Sequence, residues 1–153
     1  MVSKILMVCL GNICRSPLAE GILKSKVTHL DVEVDSAGTA AYHIGEQPDI
    51  RSIEIAKKYD IGLSNQRARQ FSINDFDEFD KIYAMDTSNY TNIIALARDE
   101  SDRDKVDLIL NEIIPTAFKS VPDPYYGGSN GFQNVYQMLD EACDKIVENL
   151  KKR

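Results

Sequence analysis

A cysteine and an arginine, Cys9 and Arg15, bracket the short run LGNIC, which leads straight into Ser16 and Pro17. A thiolate is a nucleophile that splits a difficult displacement into two easier ones. A guanidinium presents a planar donor fork that matches two oxygens of a phosphate. Between them, Gly11 and Asn12 are the residues best able to take positive φ, so the chain can curl around a point and turn several backbone N–H groups inward. A helix opening at Ser16 and Pro17 directs its own unpaired N–H groups to the same place. The same field favours a thiolate at Cys9, because cysteines beside cations and helix N-termini ionise more readily than free ones. Residue types and spacing therefore predict a phosphoryl-transfer site, with Leu10, Gly11, Asn12, Ile13, Cys14 and Ser16 completing the cradle. A lone cysteine at a strand end is otherwise a small core residue. The apolar run before this one and the helix start after it set it apart.

Such a loop needs a strand to deliver it and a helix to receive it. Lys4–Val8, KILMV, is nearly all apolar, as in a strand buried on both faces of a parallel sheet. Ser16 reads as an N-cap hydroxyl with proline at the first helical position, and Leu18, Ile22, Leu23 and Val27 follow at helical spacing. Residues 32–38, VEVDSAG, alternate and end in a turn, giving a second strand. A helix is predicted over about Asp49–Tyr59. SINDF (72–76) has the look of a capping box opening a short helix. KIYAM (81–85) is a third strand, and a helix capped within Asp86–Ser88 carries Tyr90, Ile93, Ile94 and Ala97. VDLIL (106–110) is a fourth strand. Residues 111–130 are irregular, with prolines at 115, 122 and 124 and a glycine pair at 127–128, and an irregular segment that long is usually functional. A last helix from about Phe132 places Val135, Tyr136, Leu139, Cys143, Ile146 and Leu150 on one stripe. Strands alternating with helices predict a doubly wound α/β fold, a four-stranded parallel sheet flanked by helices with flavodoxin-like layering. Ligands are expected at the carboxyl ends of its strands, where Cys9 falls.

Composition narrows the function classes. The 153 residues suit one domain, 1–153, with a core of its own. A net charge of −6 without a basic stripe, apart from the terminal KKR, speaks against a nucleic-acid partner. No apolar run approaches the roughly 18–20 residues that span a bilayer. Gly11 and Asn12 break the N-terminal run too early for a secretory signal. Three cysteines without CxxC spacing predict reduced thiols and a cytoplasmic location. Two histidines leave no His-rich metal centre, and no metal or other cofactor is expected. A monomer is the default for a domain of this size.

CLGNICRSP (9–17) together with DPYYGG (123–128) resembles the low-molecular-weight protein tyrosine phosphatases. The likeness extends through DSAGT (35–39), ARQF (68–71) and AMDTSN (84–89). The resemblance implies metal-free hydrolysis of phosphotyrosine in proteins or peptides through a cysteinyl-phosphate, with phosphate and vanadate-type oxyanions as ligands. Cys9 is then the nucleophile, Arg15 the binder of the phosphoryl oxygens and transition state, and Asp123 the general acid and later the base, held on a stiff loop by Pro122 and Pro124. Asn12 keeps the loop in its strained shape and Ser16 donates to the Cys9 sulfur. Tyr42, Tyr125 and Tyr126 resemble the aromatic walls of the cleft, Tyr42 standing where many members carry tryptophan. Cys14 beside Cys9 implies a reversible disulfide under oxidants, whereas Cys143 reads as buried and inert. Arg67 and Arg69 read as a solvated face, with secondary anion contacts as the alternative, and DFDEF (75–79) reads as an exposed acidic helix. Arsenate reductases of the same fold need two further cysteines, and residues 17–142 contain none. Protein arginine phosphatases of the fold carry threonine in place of Ile13, so tyrosine is favoured with arginine as the alternative. A non-enzymatic phosphate-binding regulatory module explains the cradle but not the thiol and the distant acid.

Overall fold

A computed structural model describes residues 3–124 and 130–152, so the aromatic-wall assignments to Tyr125 and Tyr126 lie outside the described residues. Four strands, β1 (Ser3–Cys9), β2 (Val32–Gly38), β3 (Lys81–Ala84) and β4 (Val106–Leu108), pair in the order β2-β1-β3-β4, and every pairing is parallel. The helices are α1 (Arg15–Lys26), α2 (Ile50–Lys57), α3 (Asp75–Glu78), α4 (Thr87–Ile94), α5 (Glu100–Asp104) and α6 (Gly131–Lys151).

The unbroken apolar run of β1 follows from burial on both faces. Successive side chains of a strand point to opposite sides. Ile5, Met7 and Cys9 enter the layer packed by α1, α2 and α6, while Leu6 and Val8 enter the layer of Phe71, Phe76, Phe79 and Ile93. Helix α1 is sandwiched so tightly that every residue from Arg15 to Leu23 is buried. It packs under α6, whose buried stripe runs from Phe132 through Leu139 to Ile146. Cys143 lies on that stripe, fully buried, and burial pushes its thiol far above the usual range. Truncating a fully buried aliphatic such as Leu18 or Ile22 costs about 2–5 kcal/mol. Because β1 lies between β2 and β3, the chain leaves β1 and β3 toward opposite faces. The crevice between those two exits is where ligands bind in such sheets.

Three predicted boundaries shift. VDLIL is a strand only to Leu108, and Ile109–Glu112 turn into a 3₁₀ helix with Ile109 and Leu110 still buried. KIYAM is a strand only to Ala84, and beyond it Met85 N–H donates to Val8 O at 3.0 Å while its carbonyl accepts Val121 N–H at 2.7 Å. Helix α1 begins at Arg15, so Ser16 is not its cap but lies within the first turn, and Pro17 is the third helical residue. Helix α5 was not foreseen; its signal is Asp99, whose carboxylate caps Asp102 N–H at 3.0 Å. The capping box at Ser72 is half present. Asp75 accepts Ser72 N–H at 2.9 Å, but its carboxylate is buried and also gripped by Arg69, so this acidic helix is not wholly a solvated face.

Gly38, the last residue of β2, lets the 9–15 loop approach. A Cβ there would stand 2.7 Å from Leu10 O and 3.0 Å from the Gly11 carbonyl carbon, all of it backbone that cannot swing away. Gly38→Ala is expected to lower unfolding stability by about 1–3 kcal/mol. An unchanged urea midpoint would show that the loop has slack at this contact.

Candidate active site

The loop from Cys9 to Arg15 turns on Asn12, whose φ of 58° lies in the left-handed region. That conformation costs most non-glycine residues about 1–2 kcal/mol, and asparagine tolerates it better than most. The Asn12 side chain, buried to 2% exposure, holds the turn from inside. Its Oδ1 accepts Arg69 N–H at 3.0 Å, so Nδ2 faces two hydroxyls, donating to Ser16 Oγ at 2.8 Å and Ser36 Oγ at 3.0 Å. Each serine thus accepts one amide proton and keeps its own to give away. Ser36 gives its proton to the buried Glu20 carboxylate at 2.6 Å. Ser16 has Cys9 Sγ at 3.0 Å, with Ala37 O a poorer acceptor at 3.5 Å. A hydroxyl aimed at the sulfur is a contact that strengthens when the sulfur is negative. The structure thus brings Ser16 Oγ to the Cys9 sulfur, the contact expected from the resemblance.

Arg15 is a buried cation, 4% exposed, whose Nη1 donates to Asp86 Oδ2 at 2.7 Å and to Val121 O at 2.9 Å. Asp86 sits where β3 ends, and its other oxygen caps α4 through Asn89 N–H at 2.7 Å. Clamping one corner of the guanidinium from behind presents the rest of the fork to the loop. A buried charge that lost its partner would cost about 3–5 kcal/mol. No side chain caps α1 at Cys14 among the described residues, so the first N–H groups of that helix remain for an anion.

Cys9, Arg15 and Asp123 line one cavity of ≈ 330 Å³, together with Leu10, Gly11, Ile13, Cys14, Tyr42 and His43. Asp123, half-buried between Pro122 and Pro124, is two residues after Val121, which is stapled to both Met85 and Arg15. A larger groove of ≈ 550 Å³ lies beside Lys4, Val32 and Glu33 at the other end of β1 and β2, and no cysteine lines it. Cys14 is buried, its carbonyl held by Ser52 Oγ at 3.1 Å. Burial, then the Asp49 carboxylate, push its thiol up to about 12. Asp49 is in turn kept below the usual carboxylate range by the bond from Arg51.

Several supporting residues were not singled out as site residues from sequence. Ser36 and Glu20 extend the Asn12 network, and Asp86 anchors Arg15. For Ser36 and Asp86 the signal is a hydroxyl or acid at the carboxyl end of a strand beside β1, the place a doubly wound sheet puts its ligand; Glu20, inside α1, carries no such local signal. Arg69 is not a solvated face. Its guanidinium bridges Asp35 and Asp75 at 3.1 Å each, and its backbone N–H orients Asn12. Arg67 bonds only the nearby Ser64 and Gln66 carbonyls among the contacts described.

Fold and loop together define an α/β protein that holds a thiol under an anion cradle at a strand-to-helix turn. A family model for the low molecular weight phosphotyrosine protein phosphatases matches residues 4–153. A low molecular weight phosphotyrosine protein phosphatase from Schizosaccharomyces pombe is 44% identical over 152 residues, 96% of this chain and 96% of its own. The crystal structure of a protein tyrosine phosphatase from Entamoeba histolytica, with Hepes in its active site, matches with a TM-score of 0.89 at 38% identity. The match covers 98% of this chain and 97% of that one. An arginine phosphatase from Drosophila matches with a TM-score of 0.88 at 34% identity, over 97% of this chain and 98% of its own. The chain belongs to the low molecular weight phosphotyrosine protein phosphatase family, and it is a hydrolase.

The three thiols are unpaired in the structure and differ in surroundings. With limiting iodoacetamide at neutral pH, alkylation is expected first at Cys9, slowly at Cys14 and not at Cys143 in the folded protein. The Cys14 rate should keep climbing with pH toward about 12, because only the thiolate reacts. Peptide mass mapping reads this directly, and labelling of Cys14 ahead of Cys9 would contradict it.

Proposed function

We propose that this chain hydrolyses phosphotyrosine in proteins or peptides through a cysteinyl-phosphate, with Cys9 as nucleophile, Arg15 as phosphate and transition-state binder, and Asp123 as general acid and base. The observation that carries the reading is the Cys9 sulfur on the floor of a cavity it shares with Arg15 and Asp123, with the Ser16 hydroxyl 3.0 Å behind it. The phosphate dianion settles with its oxygens on the loop N–H groups and the Arg15 fork. The thiolate attacks phosphorus as the bond to the tyrosyl oxygen breaks, and protonated Asp123 gives its proton to that oxygen. Water then attacks the phosphocysteine, Asp123 takes a proton from it, and the phosphorus–sulfur bond breaks. The sulfur leaves as a thiolate facing the Ser16 hydroxyl, and inorganic phosphate departs. Donors fixed in advance around a reacting phosphate need no reorganisation during the step, which is where such sites gain most.

Apolar walls support an aryl substrate. Leu10, Ile13 and Tyr42 line the cavity that holds the sulfur, and a phenol ring packs against such apolar side chains. Half-buried Ile13 supports tyrosine over arginine. On this reading the enzyme acts as one domain, residues 1–153, as a metal-independent monomer in the cytoplasm, where its thiols stay reduced.

Para-nitrophenyl phosphate should be turned over in the presence of EDTA and inhibited by vanadate. Activity stripped by EDTA and restored by a divalent ion would contradict the covalent cysteine scheme. Asp123→Ala should lower kcat by about 10²–10⁴-fold with little change in KM, the range for a lost general acid. Phosphotyrosine, phosphoarginine and phosphoserine peptides assayed side by side should rank tyrosine first, and a higher kcat/KM on phosphoarginine would replace the substrate assignment.

A further inference from the structure

We propose that Glu20 is a positioning residue for the phosphatase reaction: its buried carboxylate, closed off by Lys24, takes the Ser36 proton and so fixes the Asn12 amide that shapes the phosphate loop. The inference rests on the phosphatase reading above and adds to it a residue that touches neither substrate nor sulfur. A continuous row of polar contacts leads from the surface to the nucleophile. Lys24 Nζ, on a side chain 54% exposed, donates to Glu20 Oε2 at 2.6 Å. Glu20 Oε1 accepts the Ser36 proton at 2.6 Å, and Ser36 Oγ accepts from Asn12 Nδ2 at 3.0 Å. The same nitrogen donates to Ser16 Oγ at 2.8 Å, which lies 3.0 Å from Cys9 Sγ. Inward of Lys24 every member of the row is buried, none more than 4% exposed.

Packing alone does not ask for an acid at position 20. Ala19, Ile22 and Leu23 of the same helix are fully buried apolar residues, and a buried ion pair adds little stability over apolar groups of similar volume. The carboxylate does something that an apolar or amide side chain cannot. A serine hydroxyl carries one proton and two lone pairs, whereas a carboxylate only accepts. Ser36 must therefore give its proton to Glu20 and turn a lone pair toward Asn12. That bars the Asn12 amide from flipping. Reversed, its oxygen would face a Ser36 oxygen with no proton to offer, and its protons would face Arg69 N–H, which now donates to Oδ1 at 3.0 Å. Arg69 locks one end of the amide and Glu20 locks the other.

Glutamine at position 20 would undo the second lock. Lys24 has only donors, so it would claim the glutamine oxygen and leave the glutamine NH₂ facing Ser36. The Ser36 proton, with no carboxylate to take it, would no longer hold the Asn12 amide in one orientation.

Steady-state hydrolysis of para-nitrophenyl phosphate by the full chain tests this as a double-mutant cycle. Glu20→Gln should lower kcat about 10-fold, near the worth of one hydrogen bond, with a smaller change in KM. Ser36→Ala should lose a similar factor. The double variant should fall within about twofold of Ser36→Ala alone, because Glu20 acts through that hydroxyl. An unchanged kcat in Glu20→Gln, or losses that multiply to about 100-fold in the double variant, would overturn the inference. If Glu20→Gln does not fold, Lys24→Met takes its place in the cycle, since that amine is exposed. Its loss of kcat should vanish in the Ser36→Ala background, and Lys24→Arg, which keeps a cation there, should stay within about twofold of wild type. A loss that persists without the Ser36 hydroxyl, no loss at all, or an equal loss in Lys24→Arg would overturn the inference. Absence of para-nitrophenyl phosphate turnover by the wild type would instead strike the phosphatase reading itself.

Discussion

The arrangement at the carboxyl end of β1 depends on one side chain, the buried amide of Asn12. It occupies the left-handed corner of the loop and fixes which way every nearby proton points. One end of the amide accepts a backbone N–H from the 68–71 segment, so both protons of the other end go to serines. The Ser36 hydroxyl is then directed at Glu20, and Ser16 Oγ is held 3.0 Å from the Cys9 sulfur. Alanine at position 12 would remove three hydrogen bonds and place a poorer residue in the left-handed conformation. Serine at position 16 would then be free to turn toward the Ala37 carbonyl.

This network is built from groups that are costly to bury, and the fold accepts them because each is completed by a neighbour from a different element. Glu20 in α1 is closed off by Ser36 of β2 and by Lys24 one turn along, at 2.6 Å each. Arg15 in α1 is closed off by Asp86 after β3 and by the Val121 carbonyl. Buried ion pairs contribute little net stability, but leaving one half unpaired is expensive, so they fix geometry more than they add free energy. The loop is consequently tied to the ends of β2 and β3 and to the segment carrying Asp123. Chemistry that depends on placing a sulfur, a guanidinium and a carboxyl around one phosphorus needs such cross-links between elements.

Much of this was legible in the sequence because local chemistry and global position agreed. The apolar run Lys4–Val8, the left-handed former Asn12, and the Cys9-to-Arg15 spacing each report on a few adjacent residues, whereas Gly11, equally able to take the left-handed conformation, does not adopt it. The residues that complete the site report on long-range contacts, which spacing does not encode. Arg69 looked solvated because nothing local shows that Asp35 and Asp75 converge on it. Ser16 reads as an N-cap because its hydroxyl and the following proline fit that role, yet the helix starts one residue earlier and the hydroxyl lies 3.0 Å from a sulfur seven residues back. The fourth strand was overextended because Ile109 and Leu110 are as buried as strand residues. Burial alone does not separate a strand from the 3₁₀ turn that Ile109–Glu112 form.

The central claim is that phosphorus passes through a covalent bond to the Cys9 sulfur held by this cradle. Acid quenching during turnover of a rapidly reacting aryl phosphate, followed by peptide mass spectrometry, tests it most directly. The account predicts a phosphate adduct confined to the peptide bearing Cys9, and no such adduct in Cys9→Ser, which should also be inactive. Turnover at the wild-type rate by Cys9→Ser, or an adduct found only at another residue, would contradict it.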